Sequence, residues 1–282
     1  MRQPTFELSQ EQITFFHREG YLAIDTLTTY DDVERLRVSY DTIFDQRAGR
    51  DVGDQFDLAG TDEEGKEAVL PQILNPAKYA PEMNESLLLA NAARVSQQLL
   101  GVEAECRFAH AMLKPPRTGA ETPWHQDAAY WSPDNYYHSI SIWVPLQKVT
   151  PKNGCMQFVP GSQVFDVLQH RSLNDDPRIH ALELVSEERS KVQNVVTCPL
   201  AAGGATIHGP YMLHHTAPNC TDFPRRAVIL NGGQAFEQRD TPLRFPWLEQ
   251  QRCARDERVR AAIEAGLKVD AVPTGDVPDA DR

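Results

Sequence analysis

The sequence predicts a mainly β protein with flanking helices, built as a sandwich or barrel. From Cys106 onward, short β-prone runs such as residues 108–113 and 139–146 alternate with turns rich in Pro, Gly, Asn and Asp. This pattern is typical of antiparallel sheets. The first hundred residues instead carry helix caps and helical periodicity. The sequence has no glycine-rich phosphate loop of either common type, so a parallel α/β sheet is not favoured.

Three helices are predicted in the N-terminal part. The first begins with a capping-box pattern, in which Ser9 and Gln12 precede an apolar stripe. The second and third carry apolar residues at helical spacing, and the third stops at a glycine of the kind that caps helix C-termini. The expected helices run from the Ser9 cap up to Gly20, from Asp31 or Asp32 to about Phe44, and over residues 81–100 up to Gly101.

The remaining segments are assigned by composition. Residues 47–66 are polar and glycine-rich, which predicts a long loop. Residues 171–192 are polar and acidic and are expected to form an excursion from the strands. Residues 254–266 predict a terminal helix, and the last dozen residues are expected to fray. We therefore predict one domain over residues 1–282, with a helical part at 1–104, a β core at about 105–236 and a C-terminal extension at 237–282.

Charge and composition exclude several classes of protein. The 282 residues carry a formal net charge of -12, and an acidic surface repels phosphate backbones, so we expect no nucleic-acid partner. The N-terminus lacks a signal pattern, and no apolar run approaches the roughly 18 residues that cross a membrane. We therefore expect no membrane contact and a cytoplasmic location. The five cysteines are scattered, without a CxxC pair, which argues against a disulfide framework or a thiolate zinc site. Nothing in the sequence indicates an oligomeric state.

The segment TPWHQDAAYW contains a possible metal-binding pair, His125 and Asp127. Residues at i and i+2 of an extended strand point to the same face, so an imidazole and a carboxylate can hold one metal from one side. By itself the His-x-Asp pattern is weak evidence, because a surface turn can have the same sequence.

A later segment supplies candidates for a third ligand. His208, His214 and His215 all follow a β-rich stretch, and Arg225 and Arg226 come soon after. Two histidines and one carboxylate form the facial triad of non-haem iron(II), which leaves three positions open for a co-substrate and O₂. An arginine near such a site suits the far carboxylate of a 2-oxo dicarboxylic acid, since guanidinium pairs with carboxylate in a fork.

The sequence resembles the phytanoyl-CoA dioxygenase family of iron(II)/2-oxoglutarate oxygenases over roughly residues 8 to 235. The resemblance implies a double-stranded β-helix (a cupin-like jelly roll) with N-terminal helices. Its most specific parts surround the His-x-Asp pair and the distal histidines. The stretches that carry it are LSQEQITFFHREGYLAID, MLKPPRTGAETPWHQDAAYW, SISIWVPLQKVTPKNGCMQFVPGSQ and HHTAPNCTDFPRRAVILNGG.

The family's distal motif, His-x-Ser/Thr-x-x-Asn with an arginine eleven positions beyond the His, separates the candidates. Thr216 and Asn219 fit it only if His214 is the ligand. The same register selects Arg225 (214 + 11) as the residue that binds 2-oxoglutarate. It also implies that the hydroxyl of Thr216 binds the same carboxylate.

Three further residues are interpreted through the resemblance. Trp143 resembles a tryptophan that lines the co-substrate pocket, although plain core packing explains it equally well. Gln72 falls where some members place a further polar contact to the co-substrate. Asp127 bears on the reaction, because related halogenases have a small residue there that opens a chloride site. Its presence therefore favours hydroxylation or a related oxidation.

The resemblance implies an enzyme that uses iron(II), 2-oxoglutarate and O₂, with ascorbate as a supporting reductant in vitro. The expected reaction is hydroxylation of an unactivated C–H, with release of succinate and CO₂. One alternative is the same oxidation with another outcome, namely desaturation, ring formation, epimerisation or endoperoxidation. Another is a non-catalytic jelly-roll binding protein, and the full set of metal ligands argues against it.

Four aromatic residues follow the His-x-Asp pair, namely Tyr130, Trp131, Tyr136 and Tyr137. They form either one wall of a substrate pocket or part of the core. They favour a small, moderately apolar substrate such as a secondary-metabolite intermediate.

Overall fold

Fifteen strands and five α-helices form the part of the chain that the computed structural model describes, residues 2–233 and 235–269. The helices are α1 Gln10–Glu19, α2 Tyr30–Asp45, α3 Leu87–Leu100, α4 Pro246–Gln250 and α5 Ala254–Glu264. The strands are β1 Tyr21–Ile24, β2 Gln55–Asp57, β3 Pro71–Leu74, β4 Glu105–Lys114, β5 Thr122–His125, β6 Asn135–Tyr136, β7 Ser139–Pro145, β8 Met156–Phe158, β9 His170–Ser172, β10 Leu182–Leu184, β11 Val196–Cys198, β12 Ala205–His208, β13 His214–Thr216, β14 Arg225–Gly233 and β15 Glu237–Gln238.

Two antiparallel sheets dominate the fold. The larger has seven strands in the order β1-β12-β7-β14-β4-β3-β2, and the smaller has four in the order β11-β8-β13-β5. Strands distant in sequence are neighbours, which is how a sandwich brings remote residues together. The predicted mainly β fold with N-terminal helices is thus confirmed.

The N-terminal helices cover the outer face of the larger sheet. On β14, Val228 and Leu230 pack into one core with residues of α2 and α3, while alternate residues face inward. The capping box at Ser9 is present, and α1 ends at Gly20, which adopts a left-handed φ of 81°. The helices therefore leave the inward face of the larger sheet free for a site.

Two predicted segments differ from the structure. The helix expected over residues 81–100 is divided, because Ser86 is extended (φ -71°, ψ 150°) and its side chain caps α3 after a 3₁₀ turn at Pro81–Glu85. The loop expected over residues 47–66 contains β2, which lies at the edge of the larger sheet. Phe56 is buried there, and the Asp57 carboxylate accepts three backbone hydrogen bonds. The helical part predicted at 1–104 therefore also contributes strands β1 to β3 to this sheet.

Other predictions about segments agree with the structure. Residues 171–192 leave the main sheets, and β9 and β10 form a separate hairpin. The terminal helix is α5, whereas the last dozen residues lie outside the described part. All five cysteines are free. Within the described residues, no helix is long and apolar enough to cross a membrane. The domain boundaries and the cytoplasmic location stay predictions.

Candidate active site

Two neighbouring strands of the smaller sheet place the two histidines of the predicted triad side by side. In the antiparallel pair of β13 and β5, His214 lies directly opposite His125. Asp127 is not on the strand, as the sequence analysis assumed, but is the first residue of a 3₁₀ turn that follows it. The side chain still points to the same side because Gln126 keeps an extended backbone (φ -120°, ψ 136°). One ligand atom from each of the three residues lies within 4.8 Å of the others.

Backbone carbonyls fix the orientation of both imidazoles. His125 Nδ1 donates to the carbonyl of Pro123 at 2.7 Å, and His214 Nδ1 donates to that of Met212 at 2.9 Å. Each Nε2 is therefore left with its lone pair toward Asp127, whose Oδ1 lies 3.8 Å from His125 and 3.4 Å from His214. Such outer hydrogen bonds set the tautomer of metal-binding histidines.

The protonation states of His125 and Asp127 also suit a divalent metal. Burial lowers the pKa of His125 well below its usual value, and the neighbouring His214 lowers it further. Burial opposes ionisation of Asp127, yet His214 and His208 beside it hold the pKa of that carboxyl well below its ordinary range. Neutral imidazole and ionised carboxylate are the forms that bind metal. The donor set fits iron(II).

The second oxygen of Asp127 has two partners that the sequence did not indicate. Ser141 Oγ donates to Oδ2 at 2.7 Å, and His208 Nε2 lies 3.3 Å from the same atom. Ser141 and His208 are cross-strand neighbours on β7 and β12. His208, one of the three histidines considered as the third ligand, thus lies against the carboxylate of Asp127. Only strand register could have revealed Ser141.

His215, the alternative to His214, points the other way. Its ring stacks on Trp124 with centroids 5.2 Å apart, and its Nε2 lies 3.2 Å from Glu121 Oε2 at the surface. Adjacent residues of a strand face opposite sides. The structure therefore brings His214, and not His215, to the metal-binding position.

Arg225 is buried with its charge unsatisfied. The side chain is 1% exposed, and neither Nε nor Nη1 has a hydrogen-bond partner among the described residues. The guanidinium carbon is 5.4 Å from the centre of the Trp143 ring. Burial lowers the pKa of Arg225 to about 10, so it stays charged at neutral pH. Arg226 faces the opposite side and donates to Asp41 at 2.6 Å.

Lys114 is a fully buried neighbour of Arg225. The two residues are directly opposite on β4 and β14. Lys114 Nζ donates to the carbonyls of Ala120, Thr216 and Ala217 at 2.6, 3.2 and 2.8 Å. These bonds use all three donors of an ammonium group. Lys114 therefore ties together the backbone around Arg225.

The metal-binding group and Arg225 open into one cavity of about 610 Å³, a size common for small-molecule sites. The other residues predicted to bind the co-substrate, Thr216, Trp143 and Gln72, all line it. The Thr216 hydroxyl donates to Thr122 Oγ1 at 3.0 Å. This placement agrees with the predicted roles, which stay predictions.

Two of the four aromatic residues considered for a pocket wall, Tyr130 and Trp131, line the cavity. Tyr136 instead lies under the guanidinium of Arg239, 3.8 Å from ring centre to Cζ, and Tyr137 packs edge-on against Trp131. The cavity lining also includes polar residues that sequence reasoning did not assign to it: Asn75, Arg107, His110, His180, Asn231 and Arg255.

The model of the family described as phytanoyl-CoA dioxygenase (PhyH) matches residues 16–227 of the chain. The chain belongs to this family. The predicted class, a non-haem iron(II)/2-oxoglutarate dioxygenase with a jelly-roll fold, is thereby confirmed.

Several members are similar over most of their length. The ectoine dioxygenase of Sphingopyxis alaskensis is 24% identical, over 94% of this chain and 89% of that one. The L-proline trans-4-hydroxylase of Streptomyces griseoviridis is 26% identical, over 76% and 82%. The crystal structure of EvdO2 from Micromonospora carbonacea var. aurantiaca, complexed with 2-oxoglutarate, has a TM-score of 0.72 and 31% identity, and covers 87% of this chain and 99% of that one.

Proposed function

We propose that this protein hydroxylates an unactivated C–H of a small organic molecule, with iron(II) held by His125, Asp127 and His214. The distal carboxylate of 2-oxoglutarate would bind Arg225. The observation that carries the proposal is the shared cavity, which contains both a complete metal-binding group and a buried guanidinium without a hydrogen-bond acceptor. The names of two relatives, an ectoine dioxygenase and a proline hydroxylase, agree with a small-molecule substrate.

Iron(II) and 2-oxoglutarate would supply the oxidising power, with O₂ consumed and succinate and CO₂ released. The chain's own residues do the positioning. The two carbonyl-bound imidazoles present Nε2 atoms in fixed directions, and Ser141 holds the carboxylate of Asp127. Trp143 supports the Arg225 guanidinium from its face. A carboxylate at Arg225 would therefore meet a preorganised partner, which is what directional binding requires.

The residues that line the cavity support a particular kind of substrate. Phe56, Leu74, Tyr130 and Trp131 provide apolar surface, which supports a moderately apolar molecule such as a secondary-metabolite intermediate. These walls also exclude water around the carbon to be oxidised. Desaturation, ring formation, epimerisation or endoperoxidation would use the same residues, and structural analysis of the product distinguishes them from hydroxylation.

The test uses binding as well as turnover. We expect the anaerobic protein to bind iron(II), and the addition of 2-oxoglutarate to produce the visible charge-transfer absorption of its chelate. Exposure to O₂ should then release succinate. The variant His125→Ala should lose all three signals, whereas His138→Ala, which removes an exposed histidine paired with Glu237, should keep them. A His125→Ala protein that still binds iron and forms succinate would refute the proposal.

A further inference from the structure

Helix α5 contributes a second buried arginine to the cavity, Arg255. The side chain is 2% exposed. Its Nε donates to the carbonyl of Gly53 at 2.8 Å, while its buried Nη2 has no hydrogen-bond partner in the part of the chain that the structure describes. The nearest carboxylate in the described part of the chain is that of Asp256, and it is 4.0 Å from Nη1. A buried charge without a close counter-charge is costly, so Arg255 needs an explanation.

The guanidinium of Arg255 is held in a fixed position. Its Cζ lies 4.8 Å from the centre of the Phe56 ring, and a cation over a ring face is attracted to it. Farther along α5, Arg258 pairs with Asp62, which also binds Arg50. The helix is thus anchored to the loop that precedes β3. Arg255 is a preorganised donor and not a mobile surface side chain.

Arg255 and Arg225 serve different parts of the cavity. Arg225 is on β14, whereas Gly53 and Phe56, which hold Arg255, lie just before β2 and on it. In the larger sheet, β4 and β3 separate β2 from β14, and three strand spacings are roughly 14 Å. Phe56 is in turn 5.0 Å from His180 by ring centres.

His180 adds a polar atom beside Phe56. Its Nδ1 is buried without a hydrogen-bond partner, and its ring stacks on Tyr130 with centroids 5.7 Å apart. Two unpartnered polar groups, both bordering Phe56 and one of them cationic, form a small polar subsite beside an aromatic wall. Subsites of this kind recognise one end of an otherwise apolar ligand.

We infer that Arg255 binds an oxyanion, a carboxylate or a phosphate, on the substrate, in a part of the cavity away from Arg225. This inference rests on the proposed function for the identity of the ligand as a substrate. The anion would supply the acceptor that Nη2 lacks, and charge-assisted hydrogen bonds of this type are among the strongest in proteins. The substrate class is thereby narrowed to small molecules with an apolar body and an anionic end.

Three probes of similar shape test the subsite: phenylacetate, phenyl phosphate and the uncharged phenylacetamide. They are titrated calorimetrically into anaerobic protein loaded with iron(II) and saturating 2-oxoglutarate, so that Arg225 is already occupied. We expect at least one anionic probe to bind about tenfold more tightly than the amide. The tighter of the two anions identifies the oxyanion. Equal affinities for anions and amide, or no binding of any probe, overturns the inference.

Variants of Arg255 test whether the anionic probes bind at this residue. Arg255→Gln should abolish the preference for the anion, whereas Arg260→Gln should keep it, because Arg260 is an exposed residue of the same helix. An unchanged preference in Arg255→Gln overturns the inference. If Arg255→Gln does not fold, Arg255→Lys replaces it, since lysine keeps the charge without the fork. The preference should then persist at weaker affinity, and a lysine variant with wild-type affinity overturns the inference.

The two proposals fail in different ways. Loss of the proposed function appears as absent iron binding and absent succinate, and the probes can then be titrated into metal-free protein. Failure of the subsite appears as equal binding of phenylacetate and phenylacetamide by a protein that still turns over 2-oxoglutarate.

Discussion

Arg225 and Lys114 are directly opposite each other on strands β14 and β4, and both are fully buried. In the described part of the chain, neither has a carboxylate within ion-pair distance. Lys114 is satisfied by three carbonyl groups, but two nitrogens of Arg225 have no acceptor. A fold that leaves a buried guanidinium in this state is less stable for it. The arrangement is understandable if an anionic ligand completes it.

The first prediction concerns this unsatisfied charge. Arg225→Gln should raise the Kd for 2-oxoglutarate about 10- to 100-fold, because hydrogen bonds to charged groups contribute roughly 1.5–3 kcal/mol. The ligand-free variant should be at least as stable as the wild type, since a buried charge has been removed. Calorimetric titration and urea unfolding measure the two effects. Arg226→Gln is the matched control, and an unchanged Kd in Arg225→Gln would count against the assignment.

The second prediction uses the neighbouring histidines of β13. His214→Ala should weaken iron(II) binding by more than about 100-fold, because even outer partners of metal ligands contribute 10- to 100-fold. His215→Ala should change the Kd by no more than about twofold, since its ring faces Trp124 and Glu121. Anaerobic competition with a metal indicator gives both constants. The reverse order of effects would transfer the ligand role to His215.

A third prediction concerns the support of Asp127. Ser141→Ala removes the 2.7 Å hydrogen bond to Oδ2 and should weaken iron(II) binding about tenfold. Ser139→Ala is a close control, because Ser139 precedes Ser141 on the same face of β7 and its hydroxyl has no hydrogen-bond partner. The iron(II) affinities of the two variants are compared under conditions in which both proteins are equally stable. Equal losses in the two variants would show that Ser141 has no special part in orienting the carboxylate.

A fourth prediction concerns the loop between β13 and β14. The buried Asn219 amide donates to the carbonyls of Lys114, Pro115 and Phe223, and its oxygen accepts from Thr221. Asn219→Ala should lower the free energy of unfolding by about 2–4 kcal/mol, because several buried groups lose partners together. Asp222→Asn breaks only an exposed ion pair with Arg117 and should cost less than about 1 kcal/mol. Denaturant titration compares the two, and similar small losses would contradict the prediction.

The last prediction is a pH dependence of stability. Burial, and next the neighbouring charge of Arg255 and then of His110, lowers the pKa of His180 to about 3. Its unfolded value is about 6.5. Since the unfolded chain binds the proton more tightly, the contribution of His180 is complete above about pH 6.5 and is lost as pH falls toward 3.

The variant His180→Gln tests this dependence. Between about pH 5 and pH 6.5, it should reduce the slope of unfolding free energy against pH by up to about 1.4 kcal/mol per pH unit. Urea titrations at several pH values provide the slope. Parallel curves for wild type and variant would show that His180 titrates normally in the folded protein.

Sequence reasoning was most effective where residues close in the chain carry the pattern. The Ser9 capping box and the register of His214, Thr216 and Asn219 are local, and the structure places each as expected. Sequence reasoning was less effective for β2, because three residues are too few to show an alternating pattern. It also missed Ser141 and left the role of His208 open, because these two residues meet at Asp127 only through the pairing of β7 with β12.

Arg255 could not have been assigned from the sequence for a similar reason. On the sequence it belongs to a charged, solvated helix, ARDERVRAAIE. Its burial depends on how α5 docks against residues two hundred positions earlier, at Gly53 and Phe56. Such a contact has no local signal, since periodicity predicts only that a helix forms.

The position of α5 relative to the family match bears on how such enzymes can diversify. The match covers residues 16–227, which include the three candidate metal ligands and Arg225, whereas Arg255 lies beyond it. The candidate metal site and part of the cavity wall are thus encoded in separate stretches of the chain. A lineage can exchange its C-terminal helix and inherit the rest unchanged. Grafting residues 237–269 between members is the corresponding route for an engineer who wants the same oxidation on a different molecule.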